Sequence, residues 1–353
     1  MAKMKVGIIG TGTRSIYFIN AIKALSEDFE ISSMRFRTQE KANRFKKEYD
    51  IPVTTSMDEF KNSKPDFMLC AVGYHREFKV IMDLLEDGFP VLVETPPANT
   101  IEDLYTLWNL SETKKTKILV AENCFEEPMY VGKIGAAKKG YIGDVQTVSV
   151  SSTHEYHAFS IMRIMLDEMN SPFSMIGKKM DLNINLTHDQ DNNPITDSRV
   201  VPAERYHAVI NFANGKTGLY DFQQAQYWSD IRFRYIMAQG THGEIKDDEI
   251  KYADKYNIPR HTKLIYNKTS DGGLISITIN DDPVYENTLL SKGIGDNIAP
   301  CHMLLNMKSY IETGFAPYPF ADAMQDTYMT TLLHECGRRP FELIKSEKMP
   351  WQK

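Results

Sequence analysis

Between residue 4 and residue 122, short apolar runs alternate with stretches of amphipathic helical spacing. Met4 to Gly10, Phe29 to Phe36, Asp66 to Val72, Val91 to Glu94 and Ile118 to Glu122 read as strands. Ile16 to Leu25, Gln39 to Tyr49, His75 to Glu86 and Ile101 to Glu112 read as the helices between them. A run apolar on both faces, such as Phe67-Met68-Leu69-Cys70-Ala71-Val72, suits a strand covered by helices on two sides. The alternation therefore predicts a doubly wound parallel sheet.

After Asn123 the rhythm changes. A helix from Glu127 to Lys139 ends at Gly140, Gly143 and Asp144 open a strand through Val148 and Val150, and a helix from His157 to Leu166 follows. Strand-like runs then dominate: Met180 to Leu186, Tyr206 to Phe212, Thr217 to Phe222, Ile231 to Ala238, Leu264 to Tyr266 and Leu274 to Ile279. Turns such as Asn214-Gly215 favour antiparallel hairpins. Two helices, Asp296 to Thr313 and Phe320 to His334, follow. The expected organisation is an α/β domain over residues 1–122 and an α+β domain over residues 123–353, with a mostly antiparallel open sheet and C-terminal helices.

Composition narrows the function. At 353 residues the chain has room for two cores, and 42% hydrophobic with 25% charged residues is an ordinary globular balance. The net charge of −6, with basic residues scattered, argues against a nucleic-acid or anionic-membrane surface and leaves small molecules as partners. Cys70, Cys124, Cys301 and Cys336 form no C-x-x-C, so buried reduced thiols are expected rather than a metal ribbon or disulfide scaffold. No apolar segment resembles a signal peptide or a membrane span, and a cytoplasmic protein is expected.

The segment Lys5-Val6-Gly7-Ile8-Ile9-Gly10-Thr11-Gly12-Thr13-Arg14-Ser15 runs from a strand through a glycine turn into a helix. Gly10 and Gly12 allow a tight turn and close backbone approach to a pyrophosphate, and the helix offers free N–H groups and a positive dipole end. Ser15 takes the place of the usual third glycine and is still small. In this context the motif reads as the dinucleotide-binding turn of an N-terminal Rossmann domain, the other reading being a glycine turn that is merely structural. The second strand ends in Met34-Arg35-Phe36-Arg37-Thr38, without the carboxylate that binds the ribose hydroxyls of NAD. Arg35 and Arg37 either hold the 2′-phosphate of NADP or are simply solvated, and the cofactor is expected to be NADP or NAD.

With these residues in view, the chain resembles the Gfo/Idh/MocA oxidoreductases, the glucose-fructose oxidoreductase and inositol dehydrogenase group. The resemblance rests on Gly10-x-Gly12, Glu94-Thr95-Pro96, Ala121-Glu122-Asn123 with Pro128 beyond, Gly140-Tyr141-Ile142-Gly143-Asp144-Val145, Gly240-Thr241-His242-Gly243-Glu244-Ile245 and the helix beginning Tyr318-Pro319-Phe320. It implies a cofactor site completed by Thr13, Arg14, Ser15, Val72, Gly73, His75, Glu94, Thr95, Pro96 and Asn123. In the family pattern a lysine follows the glutamate, and an Asp-x-x-x-His pair lies near the carbon that exchanges hydride. Here Thr95 aligns with the lysine, Thr153 with the aspartate and His157 with the histidine. The resemblance thus implies His157 as acid or base, with His154 or Tyr156 as substitute partner and Thr95 close to the nicotinamide. The other reading of His157 is a helix cap or a substrate ligand. His154 and His157 lack a convincing third ligand, so no metal is expected.

Thr153, Arg163 and Tyr227 are candidate substrate contacts, although Arg163 better suits supporting its helix or pairing with a carboxylate. Gln223, Gln224, Gln226, Tyr227 and Trp228 end one expected strand, and Arg232 and Arg234 alternate along the next, which places both arginines on one sheet face. That face suits either a hydroxyl-rich, carbohydrate-like ligand or an interface between copies of the chain, giving a homo-oligomer, dimer or tetramer. Three functions stay open. The first is an NAD(P)-dependent oxidoreductase acting on a sugar, polyol or sugar-like derivative. The second is a redox-assisted glycosidase or lyase that recycles its cofactor. The third is a non-catalytic nucleotide-binding regulatory or assembly protein.

Overall fold

The computed structural model describes residues 2–73, 77–295 and 297–352. They form two compact units. The first contains the residues up to Glu126 together with Ser270–Gly273 and Asn287–Met324, and the second contains Glu127–Thr269, Leu274–Glu286 and the residues from Gln325 onward.

The first unit alternates β1 (Met4–Ile9), α1 (Thr13–Ala24), β2 (Phe29–Arg35), α2 (Gln39–Tyr49), β3 (Val53–Thr54), α3 (Met57–Asn62), β4 (Phe67–Cys70), α4 (Glu77–Glu86), β5 (Val91–Val93), α5 (Ile101–Lys114) and β6 (Ile118–Val120). Its six strands are parallel in the order β3-β2-β1-β4-β5-β6. This is the expected doubly wound sheet. Every residue of β4 is fully buried, as a strand covered on both faces requires. Local signals set the helix starts: the Ser56 hydroxyl accepts the Glu59 N–H ahead of α3, and Thr100 accepts the Asp103 N–H ahead of α5. The short β3 and α3 fall below the length at which periodicity speaks, and the sequence reading passed over both.

The second unit contains α6 (Pro128–Lys138), β7 (Val145–Ser151), α7 (Glu155–Leu166), β8 (Phe173–His188), β9 (Pro194–Phe212), β10 (Thr217–Gln223), β11 (Tyr235–Gly240), β12 (Gly243–Lys246), β13 (Glu249–Ala253) and β14 (Pro259–Lys263). A three-stranded sheet of β15 (Ile265–Lys268), β16 (Leu274–Ile279) and β17 (Asp282–Glu286) follows. The last elements of the chain are α8 (Ile298–Thr313), which lies in the first unit, α9 (Phe320–Arg338) and β18 (Ile344–Lys345). The large sheet has nine strands in the order β14-β13-β12-β11-β7-β10-β9-β8-β18, antiparallel except between β7 and β10.

Register gives this sheet two different faces. Gly177, Ala208, Tyr220, Val150 and Ile236 form one row across β8, β9, β10, β7 and β11, and all are buried. The next row, Ile176, Val209, Leu219, Ser149 and Met237, points to the opposite face, where all but Ser149 are partly exposed. That is the open face the alternation predicts.

Two expectations about this region change. Strands β8 and β9 run well beyond Met180–Leu186 and Tyr206–Phe212: β8 already starts at Phe173, before the break in apolar character at Gly177-Lys178-Lys179, and β9 starts at Pro194 in a largely exposed polar arm. The strand expected from Ile231 begins only at Tyr235, so Arg232 and Arg234 do not share a sheet face.

The single boundary expected at 122/123 is also more complex. Segment Asn287–Met324, placed with the second domain in the sequence reading, belongs to the first unit. There α8 packs on α1. Lys117 donates to the Tyr310 and Ile311 carbonyls at 2.9 and 2.7 Å, satisfying acceptors in the last turn of α8. Lys308 pairs with Asp28 at 2.8 Å. Among the described residues, no helix is long and apolar enough to cross a membrane.

Candidate functional site

The strand order of the first sheet reverses at β1, with β2 on one side and β4 on the other. In open α/β sheets a crevice forms at that point, outside the carboxyl ends of the strands. Here it is a cleft of about 750 Å³. Its lining comes from the ends of β1 (Gly10, Gly12), β2 (Arg35, Arg37), β4 (Val72, Gly73) and β5 (Glu94, Thr95), with Thr13 and Arg14 at the start of α1.

The two glycines of the turn do different things. Gly10 has φ +128°, and a Cβ there would lie 1.9 Å from the Ala71 carbonyl oxygen, so the fold itself demands glycine. Gly12 is extended, with φ −88° and ψ −178°, and a Cβ on it would meet nothing within 4 Å. Neither backbone nor packing requires Gly12 to lack a side chain. What its bareness preserves is open space in front of the α1 N-terminus, where unsatisfied N–H groups and the helix dipole favour an anion. Ser15 is fully buried below this turn, as its small size allows.

Buried polar atoms around the cleft await partners. Arg35 Nε and Glu94 Oε1, both on lining residues, are buried without a hydrogen bond among the described residues, as is Asn123 Nδ2 outside the lining. Glu94 is held through its other oxygen by Arg14 Nε at 3.0 Å, while the Arg14 guanidinium lies 5.0 Å from the centre of the Tyr17 ring. Such orphaned atoms are uncommon unless a ligand or ordered water completes them. Together with the bare Gly12, they fit a dinucleotide. Pro96 follows a cis Thr95–Pro96 peptide. Pro96 and Asn123 are not part of the cleft lining, and His75 lies outside the described residues. The cleft also contains Lys41, which the sequence reading missed. Its spacing of four from Arg37, at the start of α2, was the available signal.

In the second unit a separate polar cluster forms around the start of α7. The helix begins at Glu155, two residues earlier than expected, so His157 lies inside its first turn and does not cap it. His154 occupies the cap position, but its ring bonds elsewhere. Its Nδ1 lies 2.9 Å from the Tyr227 hydroxyl and its Nε2 lies 3.2 Å from the Tyr156 hydroxyl. Tyr227 also accepts the His154 backbone N–H at 3.1 Å and sits 2.7 Å from Thr153 Oγ1. Thr153, His154, Tyr156 and Tyr227 are thus brought together, with the His157 ring 4.9 Å from that of His154 and 4.4 Å from that of Tyr156. Burial, and secondly the charge of His157, push the His154 pKa down to about 3, so its imidazole is neutral at ordinary pH. A neutral ring between two phenols has one donor and one acceptor nitrogen, and the hydrogen-bonded chain can run in either direction.

Arg163 stands apart from this cluster. It is fully buried and pairs with Asp326 at 2.5 Å, so its guanidinium is committed to the core of the second unit, as the alternative reading of this residue had it, and not to a ligand. Arg234, by contrast, joins the cluster: its Nε donates to the Ser152 carbonyl at 2.7 Å and its guanidinium lies 4.7 Å from the centre of the Tyr227 ring.

Residues 4–122 match the GFO_IDH_MocA family, described as the oxidoreductase family with an NAD-binding Rossmann fold. Among curated proteins, glycosyl hydrolase family 109 protein 3 of Phocaeicola vulgatus is 27% identical over 94 residues, covering 27% of this chain and 17% of that protein. Protein 4 of the same family and organism is 26% identical over 99 residues, covering 28% and 19%. The matched part is therefore less than a fifth of either relative. Solved structures resemble the whole chain in fold. An NAD binding oxidoreductase from Klebsiella pneumoniae superposes with TM-score 0.70 at 12% identity, covering 99% of this chain and 100% of that one. An oxidoreductase from Agrobacterium radiobacter, in complex with NAD+, L-tartaric acid and magnesium, gives 0.69 at 13% identity, covering 97% and 98%. Over residues 4–122 the chain therefore matches the Gfo/Idh/MocA oxidoreductase family, and its first domain has that family's NAD-binding Rossmann fold.

Proposed function

We propose that the protein is an NAD(P)-dependent oxidoreductase that removes hydride from a carbinol carbon of a sugar, polyol or sugar-like derivative, or returns it to the corresponding carbonyl carbon. The observation that carries this reading is the cleft at the carboxyl ends of β1, β2, β4 and β5, with the bare Gly12 and the orphaned polar atoms beside it. A bound nicotinamide supplies hydride exchange at its C4. The chain's own residues supply the rest. The α1 N-terminus binds the pyrophosphate, and Arg35, Arg37 and Lys41 bind the ribose end, where they favour the extra phosphate of NADP. Thr95 positions cofactor or substrate, since its hydroxyl is too weak an acid or base to replace a lysine. His157 takes the proton from the reacting hydroxyl or returns it, while Thr153, Tyr227, His154 and Tyr156 form a hydrogen-bonded bed beside it.

The similarity to glycosyl hydrolase family 109 proteins favours a second reading, in which a sugar is oxidised transiently, its glycosidic substituent is eliminated and the hydride is returned. Absorbance of the purified protein at the reduced-nicotinamide band, followed during a screen of sugars and glycosides, separates the two. Accumulated reduced cofactor supports net oxidation, and product without accumulation supports recycling. Neither product nor absorbance change supports the third, non-catalytic role. We further propose a cytoplasmic homo-oligomer, a dimer or tetramer, assembled through the open face of the large sheet. A cavity of about 430 Å³ on that face is lined by Ile176, Val209, Leu219 and Phe341.

A further inference from the structure

The second unit contains eight arginines, and their pairing is informative. Arg163, Arg205, Arg260, Arg338 and Arg339 each meet a carboxylate. Arg199 and Arg232 are exposed and need none. Arg234 is different: it is partly buried, yet among the described residues no carboxylate pairs with it. A guanidinium drawn out of bulk water without a counter-charge is costly, and such groups normally acquire one.

Its placement is also defined. Gln226, itself buried, donates to the Ser151 carbonyl at 3.2 Å and the Phe233 carbonyl at 3.1 Å, tying the segment before Arg234 to the end of β7. The side chain is then fixed at two points, by the bond from Nε to the Ser152 carbonyl and by stacking over Tyr227. Among the described residues, neither terminal nitrogen has a protein acceptor. That is the fork that meets a carboxylate with two parallel hydrogen bonds, held beforehand so that little entropy is lost on binding. Tyr227, whose ring it covers, is bonded to Thr153 and His154 in the cluster described above. The charge count favours a monoanion. The nearest arginine in sequence, Arg232, is exposed, and His154 is neutral, so a doubly charged phosphate lacks the second cation it usually gathers.

We infer that Arg234 is the anion-binding point of the substrate site, and that the substrate is a hydroxy acid of the sugar-acid type whose carboxylate it binds. This rests on the oxidoreductase reading for the word substrate, but the binding it requires can be measured without turnover. With the cofactor-loaded protein, calorimetry compares D-glucuronate, D-gluconate and L-threonate with their uncharged counterparts D-glucose, D-glucitol and L-threitol. At least one acid is expected to bind about tenfold or more tightly than its counterpart. Arg234→Met should abolish that advantage, so that each acid binds no more tightly than its neutral counterpart does to the same variant. Arg234→Lys, which keeps the charge without the fork, should retain only part of it and covers the case in which the methionine variant does not fold. Equal binding of every acid and its counterpart overturns the inference, as does an advantage that survives Arg234→Met. Inorganic phosphate outcompeting all three acids overturns it as well. Arg234-dependent acid binding with no turnover under any condition refutes the redox reading alone, and turnover confined to neutral sugars refutes this inference alone.

Discussion

Replacing Gly12 by valine separates the cofactor role of the glycine turn from its folding role. The backbone of Gly12 suits any residue, and a Cβ there meets no atom within 4 Å, so the valine enters space that the protein does not fill. The folding cost should stay near the loss of glycine's preference over valine at a helix N-cap, about 1 kcal/mol at most. The binding cost is larger. If the side chain displaces the pyrophosphate from even one charge-assisted hydrogen bond at the α1 N-terminus, about 1.5–3 kcal/mol is lost. That corresponds to affinity about 10- to 150-fold weaker. Gly10→Ala is the control: its Cβ would collide with the Ala71 carbonyl at a φ of +128°, and it should cost about 3 kcal/mol or more of stability. Calorimetric titration with NADP and NAD gives affinity, and denaturant unfolding gives stability. The reasoning fails if Gly12→Val binds cofactor within about twofold of the original protein, a difference of only some 0.4 kcal/mol. It fails equally if Gly12→Val loses as much stability as Gly10→Ala.

Four further outcomes are expected. Arg37→Ala combined with Lys41→Ala should weaken NADP by about tenfold or more and NAD much less, because only NADP carries the 2′-phosphate; a protein that prefers NAD from the outset refutes this. Once a substrate is found, His157→Ala should leave cofactor affinity unchanged and lower turnover by about 10²- to 10⁴-fold, with Thr95→Ala costing far less; full turnover in His157→Ala moves the proton chemistry to His154, Tyr156 or Glu155. Asp326→Asn should destabilise the second unit by about 3–5 kcal/mol in denaturant unfolding, since it strands the buried Arg163, whereas Arg163→Met with Asp326→Leu should recover much of that loss. Leu219→Glu, on the open sheet face, should convert the oligomer to monomer in light scattering, and a native protein that is already monomeric at micromolar concentration contradicts the assembly.

What could be read beforehand was whatever a short stretch of chain decides by itself. The Gly10-x-Gly12 turn, the apolar run at Phe67 and the alternation of strand and helix to residue 122 are local, and the parallel sheet follows from them. Lys41 escaped notice because its place in the cleft depends on how α2 is rotated above β2, which spacing alone does not fix. Arg232 and Arg234 have strand periodicity, yet Gln226 captures the Phe233 carbonyl and the ladder starts only at Tyr235. Arg163 and Asp326 are 163 positions apart, and no pattern within either helix indicates that they meet. The apolar positions of α8 announce that the helix is covered on one side but not by which unit.

That last point bears on biosynthesis. A chain made from its N-terminus releases β1 to β6 early, but the helix that covers α1 is not complete until Thr313 of a 353-residue chain. Until then the apolar positions that α1 and α8 share stay uncovered, and Asp28 lacks both Lys292 and Lys308. The nucleotide domain therefore cannot finish folding in the order in which it is synthesised, and a fragment ending at residue 126 should behave as an incomplete, aggregation-prone body rather than a portable cofactor module.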